Sequence, residues 1–355
     1  MVSLSVALLC MGFLVAASMD PNQPMLNKVN MIARGPVQML FSTETALKAP
    51  LSRLPDPDLL NGWPTNKTTV FFIRHGESYW NQVFNQGKGF NRWAWIPFRL
   101  GHALIEEAKR LVSPSSVFVD SPLSETGFLQ ALAIRQDLEL SEAASKDKAK
   151  LRDPTERRQQ ELWGILRGEG QGPVTVACSN LIRAAETALI GLPEALIDPD
   201  SEHQKLHCLT LLQEFSRNID ALSLSPPGHP PHCRPLPSLE GSMLLPPPES
   251  FDCAGNTGNK PLRYNPIARL CGFAEWAFMH SKTADAAVVA VGHSLWFRTF
   301  FQAFLPHAAQ HQAKQRKMTN AAVVAFTLER GVIGGKTLYR IEPDSIVLLR
   351  GAFRG

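Results

Sequence analysis

Short, unbroken apolar segments alternate along this chain with longer segments in which apolar residues recur at helical spacing. The apolar segments predict buried β-strands at residues 69–73, 174–178, 208–212, 286–291, 321–328 and 338–341. Helical spacing predicts helices at residues 127–140, 182–190 and 262–280, with a further helix that ends at Phe304. Apolar strands that alternate with helices indicate an α/β fold with a mostly parallel central sheet.

Three segments lack this pattern. Residues 81–98 are rich in Trp, Phe and Gly and predict a loop. Residues 141–172 are dense in charged side chains and predict one or two solvated helices. Residues 222–262 contain closely spaced prolines, which predict an irregular chain without helices or strands. No internal repeat is visible, so we expect one domain over residues 68–345 that carries the charged and the proline-rich segments as inserts.

Residues 1–67 are predicted to be a leader outside this domain. Residues 4–17 are almost entirely apolar but too few to cross a bilayer comfortably, so no stable membrane span is expected. Residues 26–55 contain Lys, Arg, Ser and Thr with Glu44 as the single acid, a composition typical of organellar transit sequences. Two interpretations stay open: a targeting sequence, secretory or organellar, and a disordered leader on a cytoplasmic protein.

Composition excludes some classes of function. The chain has 355 residues, 44% of them hydrophobic, which is ample for a sizeable core. Its formal net charge is +4, and its Lys and Arg residues are scattered rather than clustered, which argues against nucleic-acid binding. The six cysteines include no C-x-x-C pair, and Cys178 lies in a predicted strand, so a disulfide framework is not expected.

The residues that can carry chemistry follow the predicted strands directly. Arg74 and His75 follow the first strand, Arg183 lies just inside the helix after the second, and His293 follows the fourth. Binding sites in parallel sheets lie at the carboxyl ends of the strands, so we expect these side chains to meet. A neutral imidazole is a good nucleophile near pH 7, and guanidinium groups and helix N-terminal amides both bind phosphate oxygens. The pattern predicts phosphoryl transfer to a histidine.

A leaving alkoxide also needs a proton donor. The carboxyl candidates near the predicted site are Glu77, Glu186 and Glu214. Glu214 is flanked by apolar residues, and burial can keep such a group protonated as a general acid. We therefore favour Glu214, with a surface or ion-paired Glu214 as the alternative.

Four segments in order resemble the histidine phosphatase superfamily, which includes phosphoglycerate mutases and many phosphatases. They are Arg74-His75-Gly76-Glu77-Ser78 with Trp80-Asn81, and residues 123–131, 179–188 and 292–294. The resemblance covers roughly residues 68–330.

This resemblance implies a three-layer α/β/α sandwich that uses neither a metal nor another cofactor. It implies that His75 is phosphorylated and that Arg74, Arg183 and His293 hold the phosphoryl group. Asn81 and Ser294 would be further substrate contacts. Glu214 matches the family's acid by its place in the chain.

The resemblance favours a phosphatase that acts on a small phosphomonoester. Residues 212–218 are unlike the acid segment of glycolytic mutases, which makes mutase activity the alternative. An interaction protein that keeps the fold but not the activity is a third hypothesis, with the proline-rich segment as its binding region. Clusters of His and Cys at residues 203–208 and 229–233 lack the arrangement of a zinc site and are interpreted as chance. The sequence leaves the oligomeric state open.

Overall fold

An eight-stranded sheet lies at the centre of the computed structural model, which describes residues 19–43, 51, 54–84, 89–145, 153–237, 243–283 and 285–354. The strands of this sheet are β1 (Asn66–Arg74), β2 (Val174–Ser179), β3 (Leu206–Leu209), β6 (Phe251–Asp252), β7 (Ala287–Gly292), β9 (Val323–Ile333), β10 (Lys336–Ile341) and β11 (Val347–Arg350). Two small two-stranded sheets pair β4 (Leu236–Pro237) with β5 (Met243–Leu244), and β8 (Lys317–Met318) with β12 (Phe353–Arg354).

Nine α-helices occur in the described part of the chain. They are α1 (Pro24–Phe41), α2 (Tyr79–Phe84), α3 (Gly89–Lys109), α4 (Glu125–Ser145), α5 (Pro154–Leu166), α6 (Ile182–Gly191), α7 (Pro266–His280), α8 (Ser294–Phe304) and α9 (Gln312–Gln315). Among the described residues, no helix combines the length and the apolar composition that crossing a membrane requires.

The strand order is β10-β9-β1-β7-β2-β3-β6, and β11 also pairs with β9. Strands β1, β7, β2, β3 and β6 are mutually parallel, while β9 runs antiparallel to its three neighbours. Helices cover both faces of the sheet, so the predicted three-layer α/β/α sandwich with a mostly parallel sheet is confirmed. The parallel order brings the carboxyl ends of β1, β7 and β2 side by side.

Alternation along the strands divides the apolar core into two layers. In β1, Val70 and Phe72 face helices α7 and α8, whereas Phe71 and Ile73 face helices α4, α5 and α6. The first layer is strongly aromatic, and the ring of Phe72 stacks on Phe297 with ring centroids 4.2 Å apart. Aromatic pairs add to the free energy that burial supplies, so this layer fixes α8 firmly against β1.

The prediction of a loop over residues 81–98 is wrong, because helices α2 and α3 occupy most of this segment. Low helix propensity of Gly and aromatic residues suggested a loop, but tertiary packing overrides propensity. Val83 of α2, Ala103 of α3 and Val117 form a small buried cluster that holds the two helices together.

Two further differences concern boundaries and burial. The strand predicted at residues 208–212 is β3, which ends at Leu209 and is followed by a short 3-10 helix over Thr210–Leu212. The charged segment is not entirely solvated, because α5 buries Leu162 and Leu166 against the sheet. Hydrophilic composition concealed these residues because a helix needs only one apolar stripe to dock.

The leader is not disordered over residues 24–41, where α1 packs on the domain through Met31. Residues 4–17, on which the targeting interpretation rests, lie outside the described residues. The prediction that the proline-rich segment contains no strands is wrong, because the short strands β4, β5 and β6 lie within it. The segment is also not a solvent-exposed excursion. Residues 222–225 are fully buried beside the carboxyl edge of the sheet.

Candidate active site

The two predicted histidines meet because their strands are neighbours. Arg74 of β1 pairs with Gly292 of β7, and the backbone N–H of His75 donates to the Gly292 carbonyl at 3.0 Å. His293 follows Gly292, and the ring centroids of His75 and His293 are 5.0 Å apart. Arg183 comes from the first turn of α6, directly after β2, the strand on the other side of β7.

His75 is held as a neutral imidazole with one defined tautomer. Its Nδ1 lies 2.5 Å from the Gly76 carbonyl oxygen. A carbonyl only accepts, so Nδ1 carries the proton and Nε2 keeps its lone pair. Burial, followed by the charges of Arg183 and Arg74, lowers the pKa of His75 well below its usual value. The ring therefore presents an unprotonated nitrogen at neutral pH.

The loop that bears His75 is fixed by side chains that the sequence did not single out. The Gly76 N–H donates to Thr187 Oγ1 at 3.0 Å, and the Glu77 N–H donates to Gln130 Oε1 at 2.8 Å. The Asn320 side chain donates to the His75 carbonyl at 3.1 Å. These partners come from three different elements, so only the fold could reveal them.

Two glycines make this loop possible. A Cβ on Gly76 would overlap the carbonyl oxygen of Gly127, and a Cβ on Gly127 would overlap the carbonyl oxygen of Glu77. The first turn of α4 therefore presses directly on the loop after β1. Only glycine fits at a position where two backbones approach each other this closely.

Arg183 is buried and Arg74 is half-buried, and each has part of its hydrogen-bonding capacity unused. Arg74 donates from Nη1 to the Met318 carbonyl at 2.6 Å, and Arg183 donates from Nη1 to the Asp220 carbonyl at 2.8 Å. Within the described residues, neither Nε atom has a hydrogen-bond partner. Burial lowers the pKa of Arg74 to about 10, and the charge of Glu214 opposes this shift. Arg74 therefore remains cationic at neutral pH.

His293 is completely buried, and neither of its ring nitrogens has a partner among the described residues. Burial lowers its pKa well below the usual value, and the charges of Arg183 and other nearby groups add to the effect. A buried polar group without a partner costs free energy, so such groups are rare unless they serve a ligand. The unpaired nitrogens of Arg74, Arg183 and His293 are therefore suited to an anion bound beside His75.

Glu214 is buried near the cations, and the main chain already uses both of its oxygens. Oε1 accepts the backbone N–H groups of Phe215 at 2.9 Å and Trp296 at 3.0 Å. Oε2 accepts the N–H of Leu295 at 3.4 Å. Glu214 thus binds the N-terminal amides of α8, the helix that begins after His293.

Glu186 and Glu77 have structural partners. The carboxylate of Glu186 accepts the Leu123 N–H at 2.9 Å and pairs with Arg234, whose Nε lies 2.8 Å away. Glu77 Oε1 accepts the Ser124 hydroxyl at 3.0 Å. These two carboxyl groups join α6 and the His75 loop to the start of α4.

Asp220 is a site carboxyl that the sequence analysis missed. Its Oδ2 lies 3.4 Å from Nη2 of Arg183, while Oδ1 is buried and unpaired among the described residues. Burial raises the pKa of Asp220 to about 6, against the opposing charge of Arg183. Asp220 begins the buried part of the proline-rich segment. Its only signal in the sequence is its position six residues after Glu214.

Lys260 is a further cation of this site, and it is completely buried. The sequence analysis missed it. Its Nζ donates to the carbonyl oxygens of Ser216, at 2.8 Å, and of Glu214. Its charge acts on His293 and Asp220. Lys260 therefore ties the far end of the proline-rich segment to the loop that carries Glu214.

The two predicted substrate contacts lie at helix starts. Asn81 is in α2, where its backbone N–H donates to the Ser78 hydroxyl at 3.2 Å. Ser294 is the first residue of α8 and is buried. Their contact with substrate stays a prediction. Within the described ranges, no group of three or more His, Cys, Asp or Glu side chains is arranged to hold a metal ion.

Comparison with known proteins finds similar solved structures, whereas no family model and no curated protein matches the chain. A mycobacterial glucosyl-3-phosphoglycerate phosphatase is 16% identical, with 78% of this chain and 97% of that chain covered and a TM-score of 0.34. A phosphoserine phosphatase mutant from Entamoeba histolytica is 13% identical, with 77% and 94% covered and a TM-score of 0.32. Phosphoglycerate mutase from Bacillus anthracis is 15% identical, with 79% and 93% covered and a TM-score of 0.35.

By name, these similar structures are phosphatases and a mutase. The fold is assigned from the strand order of the sheet, and the chemistry is inferred from the side chains around His75.

Replacement of Gly127 tests the close approach that shapes the site. We expect Gly127→Ala to lower the free energy of unfolding by about 1–3 kcal/mol, because the new Cβ displaces the Glu77 backbone. Urea unfolding followed by circular dichroism measures this change. Gly101→Ala is the matched control, since Gly101 lies in α3 with nothing within 4 Å of a new Cβ. We expect it to be neutral or to stabilise by up to about 1 kcal/mol. Equal effects of the two replacements would contradict the close approach.

Proposed function

We propose that this chain is a phosphatase of the histidine phosphatase superfamily that hydrolyses a small phosphomonoester through a phosphohistidine on His75. The observation that carries the proposal is a set of buried nitrogens on Arg74, Arg183 and His293, unpaired among the described residues, beside an unprotonated imidazole nitrogen. A phosphoryl group supplies the acceptor oxygens and the negative charge that this arrangement lacks.

In the first step, Nε2 of His75 attacks the phosphorus atom, the N–P bond forms and the bond from phosphorus to the leaving oxygen breaks. The leaving oxygen takes the proton of Asp220. In the second step, water attacks the phosphohistidine while the Asp220 carboxylate accepts a proton from it. The N–P bond breaks, inorganic phosphate is released and Asp220 is protonated again.

The cations act mainly by stabilising the negative charge of the transferring phosphoryl group. Arg74 and Arg183 bind the equatorial oxygens of the transferring group, and His293 donates one N–H to it. Arg183 leaves its long contact with Asp220 for the shorter charge-assisted bonds that a phosphoryl oxygen offers. Preorganised donors in a buried site need no reorientation during the reaction, which is the main source of their effect on rate.

The choice of Asp220 as proton donor revises the expectation for Glu214. Both oxygens of Glu214 already accept N–H groups that hold the start of α8. Asp220 has one oxygen that no described residue pairs with, and burial raises its pKa to about 6. A bound phosphoryl group adds negative charge, which favours the protonated form of Asp220 further.

Replacement of His75 tests the covalent step. Wild-type protein mixed briefly with a panel of phosphomonoesters should gain the mass of one phosphoryl group, and acid treatment should remove it. His75→Ala should show neither the adduct nor release of inorganic phosphate, with an unchanged circular dichroism spectrum. Intact-mass spectrometry and a phosphate assay measure the two results. His102→Ala, which changes an exposed histidine of α3, should behave as wild type.

The same experiment separates the alternatives. An adduct on His75 whose phosphoryl group returns to substrate, without net release of phosphate, would identify a mutase. Absence of both adduct and released phosphate in wild-type protein across the panel would favour the non-catalytic interaction protein.

Leaving groups of different basicity test the proton donor. We expect Asp220→Asn to lower kcat/KM, which reports formation of the phosphohistidine, about 10²–10⁴-fold for an alkyl phosphate, because the alkoxide then leaves without a proton. The loss should be far smaller for p-nitrophenyl phosphate, whose leaving group needs little protonation. Glu214→Gln should lower the rates of both substrates to a similar extent, since its role is to hold α8. The opposite result, with leaving-group dependence only in Glu214→Gln, would return the proton to Glu214.

The pH profile gives a second test of Asp220. The reaction requires its protonated form, so kcat/KM should be constant below about pH 6 and fall as pH rises through the Asp220 pKa of about 6. The pKa of His75 is lowered well below its usual value, so loss of the nucleophile lies further to the acid side. The ratio of wild-type to Asp220→Asn rates on one substrate cancels the ionisation of the substrate itself. A ratio that does not change with pH would contradict this role.

A further inference from the structure

Asp120 is a completely buried carboxyl group that the proposed mechanism does not use. It lies just before the turn that leads into α4. Its backbone φ is 49°, in the left-handed region that residues with a side chain rarely adopt. Backbone strain of this kind persists where surrounding contacts fix it, and it concentrates at functional sites. The contacts of Asp120 therefore indicate what the strained conformation serves.

The two oxygens of Asp120 hold two segments of the active site. Oδ1 accepts the backbone N–H of Ile182 at 2.8 Å. Ile182 is the first residue of α6 and the neighbour of Arg183. Oδ2 accepts the backbone N–H of Leu224 at 2.8 Å, four residues after Asp220. One carboxyl group therefore joins the start of α6 to the segment that carries the proposed proton donor.

These bonds close a ring that contains Arg183 and Asp220. Arg183 donates from Nη1 to the Asp220 carbonyl at 2.8 Å, and its Nη2 lies 3.4 Å from Asp220 Oδ2. From Asp220 the chain runs to Leu224, whose N–H returns to Asp120. Asp120 in turn holds Ile182 beside Arg183. The position of the Asp220 carboxyl relative to Arg183 is thus fixed by contacts on both sides of it.

Ser223 reinforces the same connection. Its hydroxyl donates to the carbonyl of Asn180 at 2.7 Å, and it lies 3.4 Å from Oδ2 of Asp120. Helix α6 is regular and buried over most of its length, whereas residues 222–225 have no regular structure. A regular buried helix keeps its own geometry better than an irregular segment does. Loss of the bridge should therefore displace the segment that carries Asp220 rather than α6.

We propose that Asp120 is a positioning residue that keeps the carboxyl of Asp220 in place to protonate the leaving oxygen. Both oxygens of Asp120 are engaged by main-chain N–H groups, so it acts through Asp220 and not on the substrate. This role rests on the proposed function, because it has an effect on the reaction only if Asp220 is the proton donor.

Asp120→Asn tests this role. Asn tolerates the left-handed conformation as Asp does, but its side chain has one acceptor oxygen in place of two. It can therefore bind the N–H of Ile182 or that of Leu224, but not both. We expect kcat/KM to fall about 10–100-fold for an alkyl phosphate and less than about threefold for p-nitrophenyl phosphate. Steady-state kinetics on the two substrates measure this dependence on the leaving group, which is the pattern expected of Asp220→Asn.

A double variant separates positioning from a general loss of stability. In the Asp220→Asn background, Asp120→Asn should lower kcat/KM for the alkyl phosphate less than about threefold, because no proton donor is left to misplace. Glu329→Gln is the matched control. Glu329 is a buried carboxyl that pairs with Lys67 at 2.9 Å near the start of β1, the end of that strand far from the active site. Its replacement should destabilise the fold but leave the rates on both substrates unchanged.

Two results would overturn this role of Asp120 and leave the proposed function intact. One is an equal loss on both substrates in Asp120→Asn, and the other is the full loss in the Asp220→Asn background. If circular dichroism shows that Asp120→Asn does not fold, Ser223→Ala removes the bond to Asn180 instead. It should show the same leaving-group dependence with a loss of about three- to tenfold, and its absence would also overturn the role. Wild-type protein that forms no phosphohistidine and releases no phosphate would refute the proposed function itself.

Discussion

The burial of positive charge at the carboxyl edge of the sheet is the constraint on which the rest of this structure depends. Arg183 and Lys260 are almost completely buried, and Arg74 adds a third cation beside His75. Removal of such groups from water is costly unless carboxylates, carbonyl groups or a ligand compensate. The protein compensates in part, through Asp220 on Arg183 and main-chain carbonyls on Lys260. The remaining unpaired nitrogens are the capacity that an anionic substrate would use.

Local patterns in the sequence were sufficient to predict six of the eight strands of the sheet, but not β6 and β11, and to find the residues that follow the predicted strands. Apolar segments located β1, β2 and β7, and a parallel sheet must bring their carboxyl ends together, so Arg74, His75 and His293 could be placed without coordinates. The strand order decides which ends are neighbours, and it is set by packing over long sequence distances. The roles of Thr187 and Asp220 depend on this long-range packing, because they arise only when α6 and the segment around Asp220 meet the His75 loop.

Amino-acid composition gave a wrong expectation for the proline-rich segment, which is partly buried although most of it has no regular structure. Frequent prolines predict no helices or strands in residues 222–262, whereas the segment contains the short strands β4, β5 and β6. Its irregular parts can still be buried, because side chains satisfy their backbone groups. Here Asp120 accepts the Leu224 N–H at 2.8 Å and Asn259 accepts the Ser223 N–H at 2.7 Å. The insert is consequently part of the wall around the cations. For α1 the error was the opposite one: composition suggested a disordered leader, but the segment is a docked helix. A helix that turns its polar side toward the protein has no signature in amino-acid composition.

Helix α1 also packs against the segment that carries Asp220. Met31 packs in one cluster with Ile219, the neighbour of Asp220, and a Cβ on Gly35 would overlap the Ile219 side chain. Arg34 donates to the carbonyl of Lys260 at 3.2 Å. Any force that shifts α1 therefore acts on the residues on both sides of the buried ion pair.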